Sequence, residues 1–408
     1  MIKRLQEQVS KLRVSAVYAA PRVVAVILLG LVTLPLMQAQ TFTTLYNFTG
    51  STDGGYPYAG VIQDEAGNLY GTTGAGGNLS CQLGGNGCGV VFKLDTTGKE
   101  TVLHSFSGKD GAYPYGTLVR DEAGNLYGTT EYGGDFQCDK YQGIGCGVAF
   151  KLDMTGKETV LHVFRGGRAD GCNPYQNLIM DKAGNLYGTT PGCGAYDLGT
   201  VFKLTRNGKE TLLHNFAGPD GEIPSGMLRD ASGDFYGLTE QGGRAGHGVL
   251  YKLTKEGTLI VLHNFAGGAA GNDPGAVTMD ASGNFYGTTN QGGSPFGGIA
   301  WKVSKQGSET ILHDFSGGNG DGCLPQGGVV RDPNGNLYGN TFQCGSSDDG
   351  VIWKISKNAT ETVLHDFSVP GGANPSGSLL RDANGGLYGT SSCADTGTGC
   401  YGTVWAYK

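Results

Sequence analysis

The ten residues DEAGNLYGTT, Asp64–Thr73, return at Asp121–Thr130 (DEAGNLYGTT) and Asp181–Thr190 (DKAGNLYGTT). Looser copies begin at Asp230, Asp280, Asp332 and Asp382. The tyrosine of each copy sets the register: Tyr70, Tyr127, Tyr187, Tyr236, Tyr286, Tyr338 and Tyr388, at spacings of 57, 60, 49, 50, 52 and 50 residues. That period belongs to propeller blades and is too long for leucine-rich or ankyrin arrays. Within the string, the aspartate side chain can cap a tight turn and the glycine can take positive φ.

Outward from this string, each repeat holds four strand-length runs. In the first copy they are AGVIQD (Ala59–Asp64), NLYGTT (Asn68–Thr73), GVVFKL (Gly89–Leu94) and TVLHSF (Thr101–Phe106), here strands A, B, C and D. Strand C alternates, with Val90, Phe92 and Leu94 on one face. Its aromatic slot recurs as Phe150, Phe202, Tyr251, Trp301, Trp353 and Trp405, which reads as a packing position between neighbouring blades. The first repeat-like run, TTLYNF (Thr43–Phe48), aligns with strand D, and the chain finishes on GTVWAYK (Gly402–Lys408), a strand C. The N-terminal strand can therefore complete the last blade and close the ring. The expected fold is an all-β, seven-bladed β-propeller over residues 40–408.

Composition agrees. Glycine, at 75 of 408 residues, far exceeds its usual share of about 7%. No G-X-Y period runs through it, and recurring Val, Leu, Phe and Tyr argue against a disordered linker. Residues 1–39 read differently. Lys3, Arg4, Lys11, Arg13 and Arg22 precede the apolar run Val23–Leu36, and Ala39 follows. This is the pattern of a secretory signal, too short for a span of ~20 residues. The long basic region, and Met37 two residues before Ala39, leave an uncleaved membrane anchor as the alternative. Removing five basic residues and Glu7 takes the net charge from −7 to −7 − 4 = −11. Such acidity argues against nucleic acid, which is bound by neutralising phosphates with Lys and Arg.

Ten cysteines follow the signal, an even count that suggests disulfides in an exported chain. Cys81/Cys88, Cys138/Cys146 and Cys393/Cys400 each fall within one B–C loop. Cys172/Cys193 and Cys323/Cys344 share a separation of 21, linking a D–A loop to the following B–C loop on the same face. The close pairs are expected to add ~2.5 kcal/mol each and the longer two ~3.4. Metal binding is the rival reading, but no C-x-x-C pair and no neighbouring histidine support it.

Candidates for chemistry mostly dissolve into the repeat. His104, His162, His214, His263, His313 and His365 share one slot of strand D, where the closing strand has Tyr46. A residue so repeated reads as a strand side chain with a local hydrogen-bond partner. Asp53, Asp110, Asp170, Asp220 and Asp321, each followed by Gly in a D–A loop, read as turn formers. No G-x-S-x-G, H-E-x-x-H, phosphate loop or calcium loop occurs, so no catalytic residue, cofactor or metal is expected. Strand A is innermost in this scheme. Its Arg120, Arg229, Arg331 and Arg381 are repeat features, and no acid–base pair is seen near the axis. Loop length is what departs from the repeat. Between strand B and the glycine opening strand C, blades one to seven carry 15, 16, 8, 8, 8, 8 and 10 residues. The three longest cluster on neighbouring blades 7, 1 and 2. Nearby stand Tyr56, Tyr58, Tyr113, Tyr115, Tyr132, Phe136 and Tyr141, which could stack on sugar rings or anchor a protein. Packing over the blade tops is the alternative.

The pattern G-x-V-F-K-L, G-K-E-T-V-L-H-x-F, D-G-x-x-P, D-x-x-G-N-L-Y-G-T-T resembles the GloVer tandem repeat, named from Gloeobacter and Verrucomicrobia, across residues 41–408. Strand B is also similar to the D-x-x-G-N-[IL]-Y segment of NHL-type propellers. The resemblance implies an exported or surface bacterial protein with varied C-terminal anchors. The chain ends on strand C without a hydrophobic tail, so anchoring there is not expected. The resulting expectation is a secreted, periplasmic or cell-surface monomer that binds a glycan or envelope component without catalysis. It would touch membrane only through an uncleaved N-terminus. A propeller lyase or hydrolase acting on extracellular polysaccharide, and a purely structural surface protein, are the alternatives. Fold alone does not choose among them.

Overall fold

The computed structural model describes residues 40–408, apart from 82, 84, 139, 295, 296, 319 and 394–398. The export signal read at 1–39 lies outside the described residues. Seven antiparallel sheets form a propeller, each in the chain order A-B-C-D. In blade 1 these are Ile62–Gln63, Leu69–Thr73, Val90–Leu94 and Glu100–Ser105. Blade 7 takes its fourth strand from the other end of the chain. Phe42–Asn47 pairs antiparallel with Thr403–Tyr407, Phe42 opposite Tyr407 and Asn47 opposite Thr403. Lys408 N–H donates to Thr41 O at 3.0 Å and Phe48 N–H to Gly402 O at 3.0 Å, so the seam is hydrogen-bonded along its length.

Each blade repeats one register. Tyr70 stands opposite Lys93 and Gly71 opposite Phe92 in blade 1, as Tyr286 does to Lys302 and Gly287 to Trp301 in blade 5. The strand-C aromatics are fully buried. Each packs on the phenylalanine ending strand D of the blade before, from Phe48 on Phe92 at 5.1 Å to Phe367 on Trp405 at 5.4 Å. The expected inter-blade position is thus confirmed. These rings need the glycine of Y-G-T-T beneath them: a β-carbon on Gly287 would lie 2.5 Å from Trp301.

Strand D carries one extra residue against strand C in every blade, a β-bulge. Val91 pairs with His104 and Phe92 with Val102, leaving Leu103 unpaired. The same slot holds Leu45 in the closing strand and Leu213 and Leu312 elsewhere. A bulge sharpens twist and re-aims the next side chain. Here the re-aimed residue is the repeated histidine, turned toward the D–A loop.

Candidate recognition site at the axial mouth

The turn aspartates hold the blades together locally. Asp64 accepts the Asn68 N–H at 2.9 Å, the Asn68 side-chain amide at 2.8 Å and the Tyr70 hydroxyl at 3.0 Å. The tyrosine bond recurs in all seven blades, as far as Tyr388 on Asp382 at 3.2 Å. The strand-D histidines have partners as well. His104 meets Asp110 at 3.1 Å, His214 meets Asp220 at 2.7 Å, and Tyr46 in the closing strand donates to Asp53 at 3.1 Å. Where the loop aspartate is missing, His263 faces Glu309 at 3.4 Å and His365 stacks on Phe42 at 3.8 Å. The strand-A arginines join the frame: Arg229 and Arg331 lie over Tyr187 and Tyr286 of the preceding blades at 5.7 and 5.3 Å.

A second seven-fold frame surrounds the axis on the face of the B–C and D–A loops. Every D–A loop contains X-Pro-Y: Tyr56-Pro57-Tyr58, Tyr113-Pro114-Tyr115, Asn173-Pro174-Tyr175, Ile223-Pro224-Ser225, Asp273-Pro274-Gly275, Leu324-Pro325-Gln326 and Asn374-Pro375-Ser376. All seven X residues have φ between 55° and 61°. That region is unfavourable for side-chain-bearing residues, and for β-branched Ile223 above all. Such strain costs ~1–3 kcal/mol per residue and persists only where the surroundings enforce it. The enforcement is visible here. The X amide donates across to the previous blade, Tyr56 to Tyr401 O at 2.7 Å and Leu324 to Gly297 O at 2.7 Å. The proline ring lies against the glycine opening the previous strand C, as Pro174 does at Gly147. The backbone frame is constant and the side chains on it differ. A third variable position is the residue leaving strand B: Gly74, Glu131, Pro191, Glu240, Asn290, Phe342 and Ser392.

Together these positions surround an axial cavity of about 320 Å³. Tyr58, Tyr115 and Tyr175 form one wall, and Glu240, Asp273, Asn290 and Gln326 line the rest with backbone-rich Gly and Ser. Among the described residues, no Lys, Arg or His lines it. Tyr58 is the most open, at 40% exposure. From it a run of rings extends outward: Tyr58–Tyr115 at 5.4 Å, Tyr115–Tyr113 at 6.1 Å, Tyr113–Tyr132 at 5.9 Å and Tyr132–Tyr141 at 5.9 Å. On the other side Tyr56 stacks on Tyr58 at 6.3 Å and meets Tyr401 at 6.0 Å. The candidates read from sequence therefore divide. Tyr58 and Tyr115 face the cavity, while Tyr56, Tyr113, Tyr132 and Tyr141 are half-buried behind them. Phe136 stands apart over Gly108. Tyr175, on the D–A loop entering blade 3, belongs with the cavity wall.

The sequence reading saw no acid–base pair near the axis; Glu240 and Asp273 both line the cavity there. Burial and the neighbouring Asp273 push Glu240 up to about 7. Burial also raises Asp273, and pushes Glu131, behind the tyrosines, up to about 7. The Tyr175 hydroxyl donates to Glu240 Oε1 at 3.0 Å, and Asn290 Nδ2 donates to Asp273 Oδ2 at 3.1 Å. Glu240 Oε2 and Asp273 Oδ1 take no hydrogen bond from the described residues. These acids escaped notice because each occupies a position that other residue types fill in most of the blades. Repetition, the only signal in use, is silent there. Aligning the X-Pro-Y and strand-B exits would have exposed them.

The surrounding loops are stapled. Cys81–Cys88, Cys138–Cys146, Cys172–Cys193, Cys323–Cys344 and Cys393–Cys400 are bonded, the expected pairing. No free cysteine remains. This is the chemistry of an oxidising compartment outside the cytoplasm.

A family model described as Gloeobacter/Verrucomicrobia repeat matches residues 30–190 and 173–405. No curated protein sequence matches the chain. Among solved structures, a streptogramin B lyase superposes with a TM-score of 0.60 at 13% identity, covering 90% of this chain and 97% of the lyase. The extracellular domain of a protein described as a one-component system from B. thetaiotaomicron gives 0.57 at 9% identity, covering 90% of this chain and 40% of that one. That of a hybrid two-component system from the same organism gives 0.54 at 16%, covering 90% and 41%. At these identities the likeness is one of fold.

Proposed function

The chain belongs to the Gloeobacter/Verrucomicrobia repeat family, and from that premise we propose that it is an exported recognition module that binds a hydroxyl-rich glycan at the axial mouth. One observation carries the reading: an invariant seven-fold backbone frame presents side chains that differ from blade to blade around the cavity, with tyrosines on one wall and hydrogen-bonding acids and amides on the other. Tyrosine offers an apolar face for a sugar ring together with a hydroxyl. The Glu240 carboxyl, held near 7, can both donate and accept at neutral pH, which suits ligands that are themselves donors and acceptors. A mostly pre-formed cavity of a few hundred Å³ with a few convergent polar groups is the usual form of a small-ligand site.

The test is thermal unfolding of the oxidised protein with a panel of oligosaccharides. A ligand at a hundredfold excess over its dissociation constant stabilises the folded state by ~2.7 kcal/mol. A midpoint shift with one sugar class, lost in Tyr115→Ala, supports the reading, and no shift with any sugar contradicts it. A second reading, cleavage of a polysaccharide, draws on the pairing of Glu240 with Asp273, because raised carboxyl groups in a cleft are general-acid candidates. Release of shortened oligosaccharides, abolished in Glu240→Gln, would favour it over simple binding.

A further inference from the structure

We infer that the axial cavity selects glycans bearing a free primary amine, its ammonium group seated between the Glu240 and Asp273 carboxyl groups and the face of Tyr175. The inference rests on the reading of the mouth as a glycan site and narrows it to amino sugars.

Three observations converge. Glu240 and Asp273 line the same cavity. Each spends one oxygen on a hydrogen bond within the protein, Glu240 Oε1 on Tyr175 and Asp273 Oδ2 on Asn290. The other oxygen of each receives none from the described residues. Two acceptors are thus fixed in orientation but unspent. The positive charge that such a pair normally finds inside a protein is also missing from the wall, since no Lys, Arg or His lines the cavity among the described residues. Ion pairs do occur elsewhere in the molecule, as between Lys252 and Asp234 at 2.7 Å. The third observation is the aromatic wall. Tyr175 hydrogen-bonds Glu240 directly, with Tyr58 and Tyr115 beside it, and ring faces attract organic cations, more so when the site is shielded from water. A bare metal ion would use the carboxyl oxygens and gain little from the rings. An ammonium on a sugar uses both, and the sugar ring then lies along the Tyr58–Tyr115 wall. Electrostatics agree in direction: burial raises both carboxyl groups, the Asp273 charge adds to the rise at Glu240, and a bound cation would relieve that penalty.

The groups facing the pair are Tyr175 and Asn290, with Glu131 near Tyr175. Substitution can therefore remove charge while keeping shape. Glu240→Gln and Asp273→Asn retain an acceptor for Tyr175 and Asn290.

The experiment titrates the full-length, oxidised protein with a glucosamine tetrasaccharide, its fully N-acetylated counterpart and a neutral glucose tetrasaccharide, by calorimetry at pH 7. A calcium chloride titration is followed by thermal unfolding. The inference expects the free-amine oligomer to bind at least tenfold more tightly than the N-acetylated one. It expects the Glu240→Gln/Asp273→Asn protein to lose that preference and to bind the two oligomers with equal affinity. Equal affinity for the two oligomers, or a preference that survives the double substitution, overturns it and leaves the broader glycan reading standing. A calcium-induced rise in midpoint that disappears in the double variant also overturns it, by making the pair a metal site. Failure of every oligosaccharide to bind removes the glycan reading and this inference together.

Discussion

Glu100, Glu158 and Glu210 each open a strand D. Burial, foremost, pushes their carboxyl groups up to about 7 from the ordinary 4.5, beside the loop aspartates and histidines of the preceding blade. Glu131 and Glu240 at the mouth are raised to about 7 as well. Between pH 4.5 and 7 the folded protein keeps protons that the unfolded chain has released, so stability falls as pH rises through this window. Burial of His365 works in the opposite direction below 6.5, but it is one group against five. Below about pH 4 the sign reverses, because the turn aspartates are held low. In Asp280, burial is more than offset by bonds from Asn284, Tyr286 and Ser282, leaving it at about 2. The unfolding midpoint is therefore expected to be higher at pH 5 than at pH 8. A midpoint that rises steadily from pH 5 to 8 would contradict the protonation pattern. At the same scale, Asp280→Ala strips the turn of its acceptor and is expected to cost ~1–3 kcal/mol, measurable by denaturant unfolding. These aspartates and tyrosines were legible in the sequence because each recurs with its partner at fixed spacing. Glu240 and Asp273 were not, since repetition carries no information about a position that changes from blade to blade.

Each blade combines an alternating strand C, a glycine in strand B and a leucine bulge in strand D. The alternation and the aromatic slot could be read directly from period-2 patterning. The need for glycine could not, because it arises where Trp301 or Phe92 lies across the neighbouring strand. Gly287→Ala is accordingly expected to destabilise by ~1–3 kcal/mol through overpacking, well beyond the change expected of an exposed Gly→Ala replacement. An unchanged denaturant midpoint would show that Trp301 can move aside. The bulge was also hidden from sequence, since the one extra leucine in each apolar strand D looks like one more core residue. Pairing shows it to be the residue that turns each histidine toward its loop. The X-Pro-Y turn shares this character: the proline is visible, but the positive φ before it follows from the amide bond to the blade behind.

In the whole ring the two chain ends share one sheet, and that arrangement was readable from the offset between a leading strand D and a trailing strand C. Deleting residues 41–48 leaves Thr403–Tyr407 as an unprotected edge of a strongly hydrophobic blade. Concentration-dependent association is expected by light scattering, whereas a monomer of unchanged stability would contradict closure by this strand. The closed ring also explains why function collects at its axis. Every blade contributes an equivalent position to one cavity, so seven copies of one backbone frame can display a composite surface that no single blade encodes. The measurement that tests this most directly is an oligosaccharide array probed with the oxidised protein beside its Tyr58→Ala/Tyr115→Ala variant, the two matched for unfolding midpoint. The account predicts retention of one class of glycan by the native protein and at least tenfold weaker retention by the variant. Equal retention by both, or none by the native protein, would contradict a glycan site at the axial mouth.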